Sequence, residues 1–489
     1  MSAVEVSGKQ VVPLWVNGAA LPVNSDSLFE VIHGEDGSIA HYAHGANVEE
    51  AKAAVEAAAA AFPSWSRTPY TQRREILLKV ADILNTRADE LGEMQAVETS
   101  ANPRFGKLFA RMAGPHVHEI AGNIANALTG AVPPIASEGY GFVLKEPVGP
   151  VLIIVPWNGP SVLGPRGIAS ALAAGCTVVL KASEICPRNF LMLTQIFEEA
   201  GLPKGCLNQI QASRENGPEV TEAIISHPAI RKIDFIGSAP VGRIIGQLAA
   251  KYLKPVLMEL GGKGPFIVLK DANLQKAAQL AAYGAFIHHG QICMSTERII
   301  VVKEVAEEFS KLLKEEVINN WSTAGSAASK SFADKSHQLL ASAKQNGAEF
   351  LVGDNSFSVS SKTGLTPTIV TGVKPEDGLY DTETFGPSAS LYVVGDAEEA
   401  LAFANQSTSG LAGAIWTEDI VQGLDYSKTL ECGLVHINSS TLTDNPSLPV
   451  TGTKASGWGS SSGKYGINEF LVEKTVTVRS TKGAYFLGN

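Results

Sequence analysis

The sequence predicts an α/β protein made of two parallel-sheet units. Three observations carry that expectation. Strand-like and helix-like stretches alternate at intervals of about 25–35 residues, the rhythm of strand–helix–strand crossovers. The strand-like stretches, such as VLIIV, TVVLK and IDFIG, are continuous apolar runs, as in a parallel sheet covered on both faces. The alternation ends at Gly261 and restarts after it. At 489 residues the chain also exceeds what one core ordinarily serves.

In chain order, NVEEAKAAVEAAAAAF opens with Asn47 as a cap and Glu50 three residues later, a capping-box start to an alanine-rich helix. A second amphipathic helix is expected from about Thr71, through TQRREILLKVADILNTRADELGEM. VLKEPVGPVLIIVPWN follows as one hydrophobic β-like segment, then a helix over roughly Pro165–Ala174. CTVVLKA and CLNQIQA read as strands around the helix PRNFLMLTQIFEEA. IRKIDFIGS, a helix from about Pro240, and KPVLMEL close the first series. The second runs through FIVLK, the helix ANLQKAAQLAAYGAF, RIIVV, the helix EVAEEFSKLLKEEV, and the strands ASLYVV, GLAGAIWT and GLVHIN. The end, EFLVEKTVTVRST, alternates Thr and Val like a strand whose partner is expected in another subunit.

Composition narrows the function. The chain is 45% hydrophobic and only 18% charged, which points to a large interior or to surface buried between subunits. Its net charge of -10, without a Lys/Arg cluster, argues against a nucleic-acid partner. The five cysteines (Cys176, Cys186, Cys206, Cys293 and Cys432) form no CxxC or Cys/His pattern, so neither a metal site nor a disulfide framework is expected. No signal peptide is apparent, and no apolar run reaches the ~20 residues of a membrane span. A reduced, cytoplasmic setting is the expectation.

Several residues invite chemistry, each with a plainer reading beside it. Cys293, in HHGQICMST, is either a small buried apolar residue or a nucleophile. Gly237 ends a strand and Pro240 begins a helix in IDFIGSAPVG, a phosphate-binding start or an ordinary βα turn. Lys181 and Glu184 end VVLKASE at the sheet edge where nucleotides bind, or occupy a solvated loop. Asn158 in PWNGP is a turn former or a donor to a developing oxyanion. Glu259, before Gly261-Gly262, is a surface carboxylate or a general base beside a hinge. GSSSGKYG lacks P-loop spacing and is set aside.

PWN, LKxSE, FxGSxxVG, ELGGK, GQxC, ExFGP (Glu383 to Pro387) and GxKxSGxG (Gly452 to Gly459) occur in this order. Together, over nearly the whole chain, they resemble the NAD(P)-dependent aldehyde dehydrogenase superfamily. The string HHGQICMSTER is similar to the branch that oxidises aromatic aldehydes such as salicylaldehyde, benzaldehyde and vanillin.

The resemblance implies a Rossmann-like NAD-binding domain over 1–126 and 148–261, a catalytic domain over 262–470, and an oligomerisation arm over 127–147 and 471–489, giving a homodimer or homotetramer. It implies Cys293 as nucleophile, Asn158 as oxyanion donor and Glu259 as the base that hydrolyses the thioester. It assigns Lys181 and Glu184 to the adenosine ribose, Glu383 to the nicotinamide ribose and Phe385 to the nicotinamide. Gly237 and Ser238 would approach the pyrophosphate, and Trp157 and Gly261 would complete the cofactor site. Glu184 favours NAD over NADP by repelling a 2′-phosphate. Leu163, Arg166, Ile292, Met294 and Val450 are candidates for the pocket wall.

The chain departs from the family pattern at Pro449-Val450-Thr451-Gly452, where PFGG is common, and at Ser460. Arg166 is either a contact for a polar ring substituent or an ion-pair partner. The competing functions are an aliphatic or semialdehyde dehydrogenase, a thiol hydrolase using His288 or His289, and a non-catalytic relative.

Overall fold

In a computed structural model, residues 4–135 and 139–481 are described. The expected arm therefore falls partly outside them, at 136–138 and 482–489. Two large sheets organise the molecule. The first has eight strands, in the order Gly457–Trp458, Val256–Leu260, Lys232–Gly237, Val151–Ile154, Val178–Lys181, Leu207–Ile210, Trp15–Val16 and Ala19–Ala20. Its five central strands are parallel, and short antiparallel strands close both edges. The order reverses between Val151–Ile154 and Lys232–Gly237, the place where such sheets open a crevice beyond the strand C-termini.

The second sheet has seven strands: Glu349–Val352, Thr368–Thr371, Ser388–Val394, Thr296–Val302, Gly264–Val268, Ala412–Trp416 and Leu434–Ile437. All pairs but the first are parallel. Only Gly261, Gly262 and Lys263 separate the last parallel strand of the first sheet from Gly264–Val268 of the second. Apolar side chains fill both faces: Val178, Val179 and Leu180 are fully buried, as are Ile299, Ile300 and Val301. The expected continuous apolar strands are thus covered on both sides.

Local signals explain the helices. Asn47 and Glu50 form the reciprocal capping box, with bonds of 2.9 and 3.0 Å, at the start of Val48–Trp65. Proline at the first turn starts Pro160–Ala174, Pro187–Glu199 and Ala239–Lys251, where the missing N–H costs nothing.

Three expectations are corrected. The single helix from Thr71 is two, Tyr70–Thr86 and Ala88–Thr99, broken at Arg87. Arg87 leaves the helical region, and its guanidinium is held by Glu90 and Glu199. VLKEPVGPVLIIV is likewise two strands, Tyr140–Pro147 and Val151–Ile154, because Pro147 and Pro150 offer no N–H to a ladder. The helix expected from Pro165 begins at Pro160. The terminal strand Leu471–Val478 pairs along one edge, antiparallel, with Tyr140–Pro147 of the same chain.

The N-terminal four-stranded sheet, Glu5–Val6, Lys9–Val12, Ile39–His44 and Leu28–Ile32, carries no clear signal in the sequence. The segment 457–470, expected with the second unit, lies with the first. Gly457 pairs with Glu259, and Ile467 and Phe470 join the first core.

Candidate active site

The C-terminal edge of the first sheet faces the N-terminal edge of the second, and the candidate residues collect there. Cys293 lies in the turn between the short helix Ile287–Gly290 and the strand Thr296–Val302. Three consecutive residues before it, His288, His289 and Gly290, take left-handed conformations, with φ of +52°, +59° and +70°. A Cβ on Gly290 would stand 2.2 Å from the Gly386 carbonyl oxygen, so glycine is required there.

Gln291 then braces the turn. Its amide donates to the His288 carbonyl at 3.0 Å, and its Oε1 accepts from Ala328 N–H at 3.0 Å. Its own carbonyl accepts from Asn158 Nδ2 at 3.1 Å. One amide hydrogen of buried Asn158 is committed to this bond; the amide carries a second.

Glu259 sits inside the strand Val256–Leu260, not on the hinge, and its backbone is paired on both sides, with Ile236 and Gly457. Movement is left to its side chain. That carboxylate receives Arg166 Nη2 at 3.2 Å and Ser461 Oγ at 3.3 Å. Burial pushes its pKa up, and Arg166 opposes the rise. Asp234, on the neighbouring strand, is pushed up to about 7 by burial and by Glu259. Burial and the Glu259 and Glu383 carboxylates also push the Cys293 thiol up, against Arg166.

Arg166 is fully buried and forks between Glu259 and Asp444 Oδ2, the latter at 3.4 Å, with His116 Nε2 3.4 Å behind. The ion-pair reading of Arg166 is therefore the one the geometry supplies.

Beyond the strand C-termini of the first sheet, at the reversal of strand order, lies a cleft of about 700 Å³. Lys181, Glu184, Gly237, Ser238, Trp157 and Phe332 are among its walls. Burial lowers the Lys181 pKa, and Glu184 partly offsets that. Trp157 stacks on Phe332 at 4.9 Å and meets Phe385 edge-on at 5.8 Å, joining the cleft to the ETFGP segment. Glu383 accepts from Gly262 N–H at 3.3 Å, and burial and Glu297 push it up to about 8. A Cβ on Gly261 would lie 2.1 Å from Glu383 Oε1.

Glu297 holds these parts together. It is buried and accepts from Thr384 N–H at 2.9 Å, from Phe385 N–H at 3.2 Å, and from Lys263.

Around Cys293, Ile292 and Met294 pack with Ala101, Phe105, Phe109, Ile287 and Leu442 in one apolar cluster. Phe105 stacks on Phe109 at 5.2 Å and on His288 at 4.4 Å. The two phenylalanines lie one turn apart on Pro103–Ala110, a helix capped by Asn102. Sequence reasoning missed them, although the i, i+4 aromatic pair in NPRFGKLFARM was the available signal. It also missed Lys263, Glu297, Asp444 and Ser461.

Of the other expected wall residues, Leu163 belongs to the large core of the first unit. Val450 pairs with Ser461 instead of joining the apolar cluster. The histidines offer no base for a thiol hydrolase. His289 Nε2 is taken by Leu365 N–H at 3.0 Å, and burial lowers His288 to about 4 and His289 to about 3.

Residues 22–476 match the profile of the "Aldehyde dehydrogenase family". A vanillin dehydrogenase of Pseudomonas fluorescens is 37% identical over 478 residues, covering 96% of this chain and 98% of that one. A benzaldehyde dehydrogenase [NAD(+)] of Pseudomonas putida is 34% identical, covering 92% of each chain. The crystal structure of a salicylaldehyde dehydrogenase from Pseudomonas putida G7, complexed with salicylaldehyde, superposes with a TM-score of 0.93 at 34% identity, covering 98% of this chain and 100% of that one.

Proposed function

The chain belongs to the aldehyde dehydrogenase family, and from that premise we propose that it oxidises an aromatic or similarly hydrophobic aldehyde to the carboxylic acid with NAD. The observation that carries the substrate reading is the apolar cluster that takes in both neighbours of Cys293, Ile292 and Met294, with Phe105 and Phe109 stacked on each other within it. A flat ring fits such a wall better than a flexible polar chain.

The 700 Å³ cleft suits a dinucleotide: a carboxylate and a half-buried lysine face it at the reversal of strand order, and a helix begins beside it at Ala239. Lys181 and Glu184 would hold one ribose, Gly237 and Ser238 would approach the pyrophosphate, and Glu383 would hold the second ribose, with Trp157, Gly261 and Phe385 around it. Glu184 disfavours a 2′-phosphate, so NAD is preferred and NADP is the weaker alternative. When bound, the nicotinamide accepts the hydride released from the substrate carbon.

Cys293 Sγ, once deprotonated, adds to the aldehyde carbon. The resulting oxyanion is held by the free amide hydrogen of Asn158 and by the Cys293 backbone N–H; one such donor is worth ~3 kcal/mol of barrier. After the substrate is oxidised, an acyl group remains on sulfur. Glu259 takes a proton from water, the water oxygen adds to the acyl carbon, and the C–S bond breaks to return the thiolate and release the acid.

The test follows NADH with benzaldehyde, salicylaldehyde, vanillin and hexanal in parallel, with Cys293→Ala as control. Aromatic turnover lost in the variant supports the reading. Preference for hexanal overturns the aromatic assignment, and cofactor-independent ester cleavage with no NADH overturns the mechanism.

A homodimer or homotetramer is the proposed assembly. The strand pair Leu471–Val478 and Tyr140–Pro147 leaves Tyr140, Leu144, Val472 and Val478 exposed. A stable monomer by mass measurement refutes it.

A further inference from the structure

Arg166 has two carboxylate partners. Its Nη2 lies 3.2 Å from Glu259 Oε2 and its Nη1 3.4 Å from Asp444 Oδ2. All three side chains are at least nine-tenths buried, so this ion pair cannot be dismissed as a screened surface contact. Three elements bring the groups together: the helix Pro160–Ala174, the strand Val256–Leu260, and the loop after Leu434–Ile437. Behind Asp444 stands His116 Nε2, 3.4 Å away. A carboxylate gripped by a guanidinium is well held but poorly placed to reach a water molecule at Cys293.

Resting on the reading that Glu259 is the hydrolytic base, we propose that Asp444 is a positioning residue for it. Asp444 draws part of the Arg166 guanidinium away from Glu259, so that the base is kept ionised in a buried site yet loosely enough to turn toward the acyl group on Cys293. Arg166 and Asp444 then act on Glu259 in opposite senses. The charged or titratable groups facing Glu259 are Arg166 from the helix, Asp234 from the neighbouring strand, Asp444 from the loop, and Cys293 from the facing turn; the Ser461 hydroxyl also donates to it. Among the largest influences on Glu259, Arg166 favours the ionised form and Asp444 disfavours it.

The experiment measures acyl-enzyme hydrolysis from pH 5 to 9, by stopped-flow NADH burst and steady state with benzaldehyde and NAD. Asp444→Asn, which preserves shape, gives Arg166 wholly to Glu259. The acid limb of hydrolysis moves down by about one pH unit, the plateau rate falls ~10-fold, and the NADH burst stands out more clearly above the slowed steady state. Arg166→Gln leaves Glu259 unpaired and moves the limb up by roughly 1–3 units. Where Arg166→Gln fails to fold, Arg166→Lys, which keeps the charge but gives up the planar two-pronged grip, is read in its place with a smaller shift in the same direction.

A purely structural role lowers stability in both variants and leaves the limb where it was. Limbs that stay put, or move in the same direction, overturn the proposal. Glu259→Gln separates the underlying reading: a burst followed by accumulation of acyl-enzyme, seen as added mass on Cys293, supports Glu259 as base. Unimpaired steady turnover in Glu259→Gln overturns that reading itself, whatever the other variants do.

Discussion

Replacing Gly261 by alanine adds one methyl group and tests whether the crossing between the two sheets shapes a cofactor site. The backbone tolerates the change, since Gly261 is not among the residues with positive φ. The methyl, however, would lie 2.1 Å from Glu383 Oε1 and 2.4 Å from Oε2, closer than any real contact. The nearest atoms belong to the end of one side chain, so Glu383 must turn away and lose its 3.3 Å bond from Gly262 N–H. With Glu383 ionised, above about pH 8, a hydrogen bond to it contributes about 1.5–3 kcal/mol. If Glu383 holds a ribose, Kd for NAD rises roughly 10- to 150-fold. Fluorescence titration of the purified protein reads this directly, and the thermal unfolding midpoint without cofactor controls for fold integrity. Glu383→Gln weakens NAD similarly, and the double variant is barely weaker than either single one, because both changes remove the same contact. Wild-type NAD affinity in Gly261→Ala refutes the reasoning.

Three further outcomes are expected. Glu383 is pushed up to about 8, so it is mostly protonated below that pH and ionised above it. NAD affinity accordingly climbs as pH rises through about 8, and an unchanged pH profile in Glu383→Gln removes Glu383 from the cofactor. Glu259→Gln deletes a carboxylate that opposes the Cys293 thiolate, so alkylation by iodoacetamide at pH 8 quickens, ~10-fold for one unit of thiol pKa; an unaltered rate contradicts the coupling. Phe105→Ala removes a ring that shares an apolar cluster with Ile292 and Met294, the neighbours of Cys293, and lowers kcat/KM for benzaldehyde roughly 2- to 12-fold more than for hexanal, the worth of one aromatic contact. Equal losses on both substrates argue against an aryl wall.

Much of the scaffold is legible because its signals are local. The capping box at Asn47, the prolines opening helices and the apolar strands each lie within a few neighbouring residues. The turn that carries Cys293 is equally legible, since GQxC holds both the glycine that the left-handed path requires and the glutamine that braces it. The breaks at Arg87 and Val148–Pro150 were missed because the hydrophobic pattern continues across them while caps and proline chemistry interrupt the backbone. Asp444 and Ser461 were missed for a different reason. They meet Arg166 and Glu259 across 278 and 202 residues of chain, and no local pattern distinguishes a serine that supports a buried carboxylate from one in a surface loop. Arg166 and Glu259 were each visible, but neither their pairing nor Asp444 as the second partner was.

Glu297 has a consequence for anyone recombining this enzyme with its relatives. Its one carboxylate gathers the ELGGK crossing through Lys263 and the ETFGP segment through Thr384 and Phe385, and its own strand follows the Cys293 turn. Three stretches far apart in sequence therefore behave as one exchangeable cassette. A chimera whose crossover falls between them must carry matching partners for Glu297 in both halves, or it leaves a buried charge unanswered and the Cys293 turn out of line with the ETFGP segment. Crossovers on the outer flanks, in the N-terminal sheet or the terminal strand, leave that cassette whole.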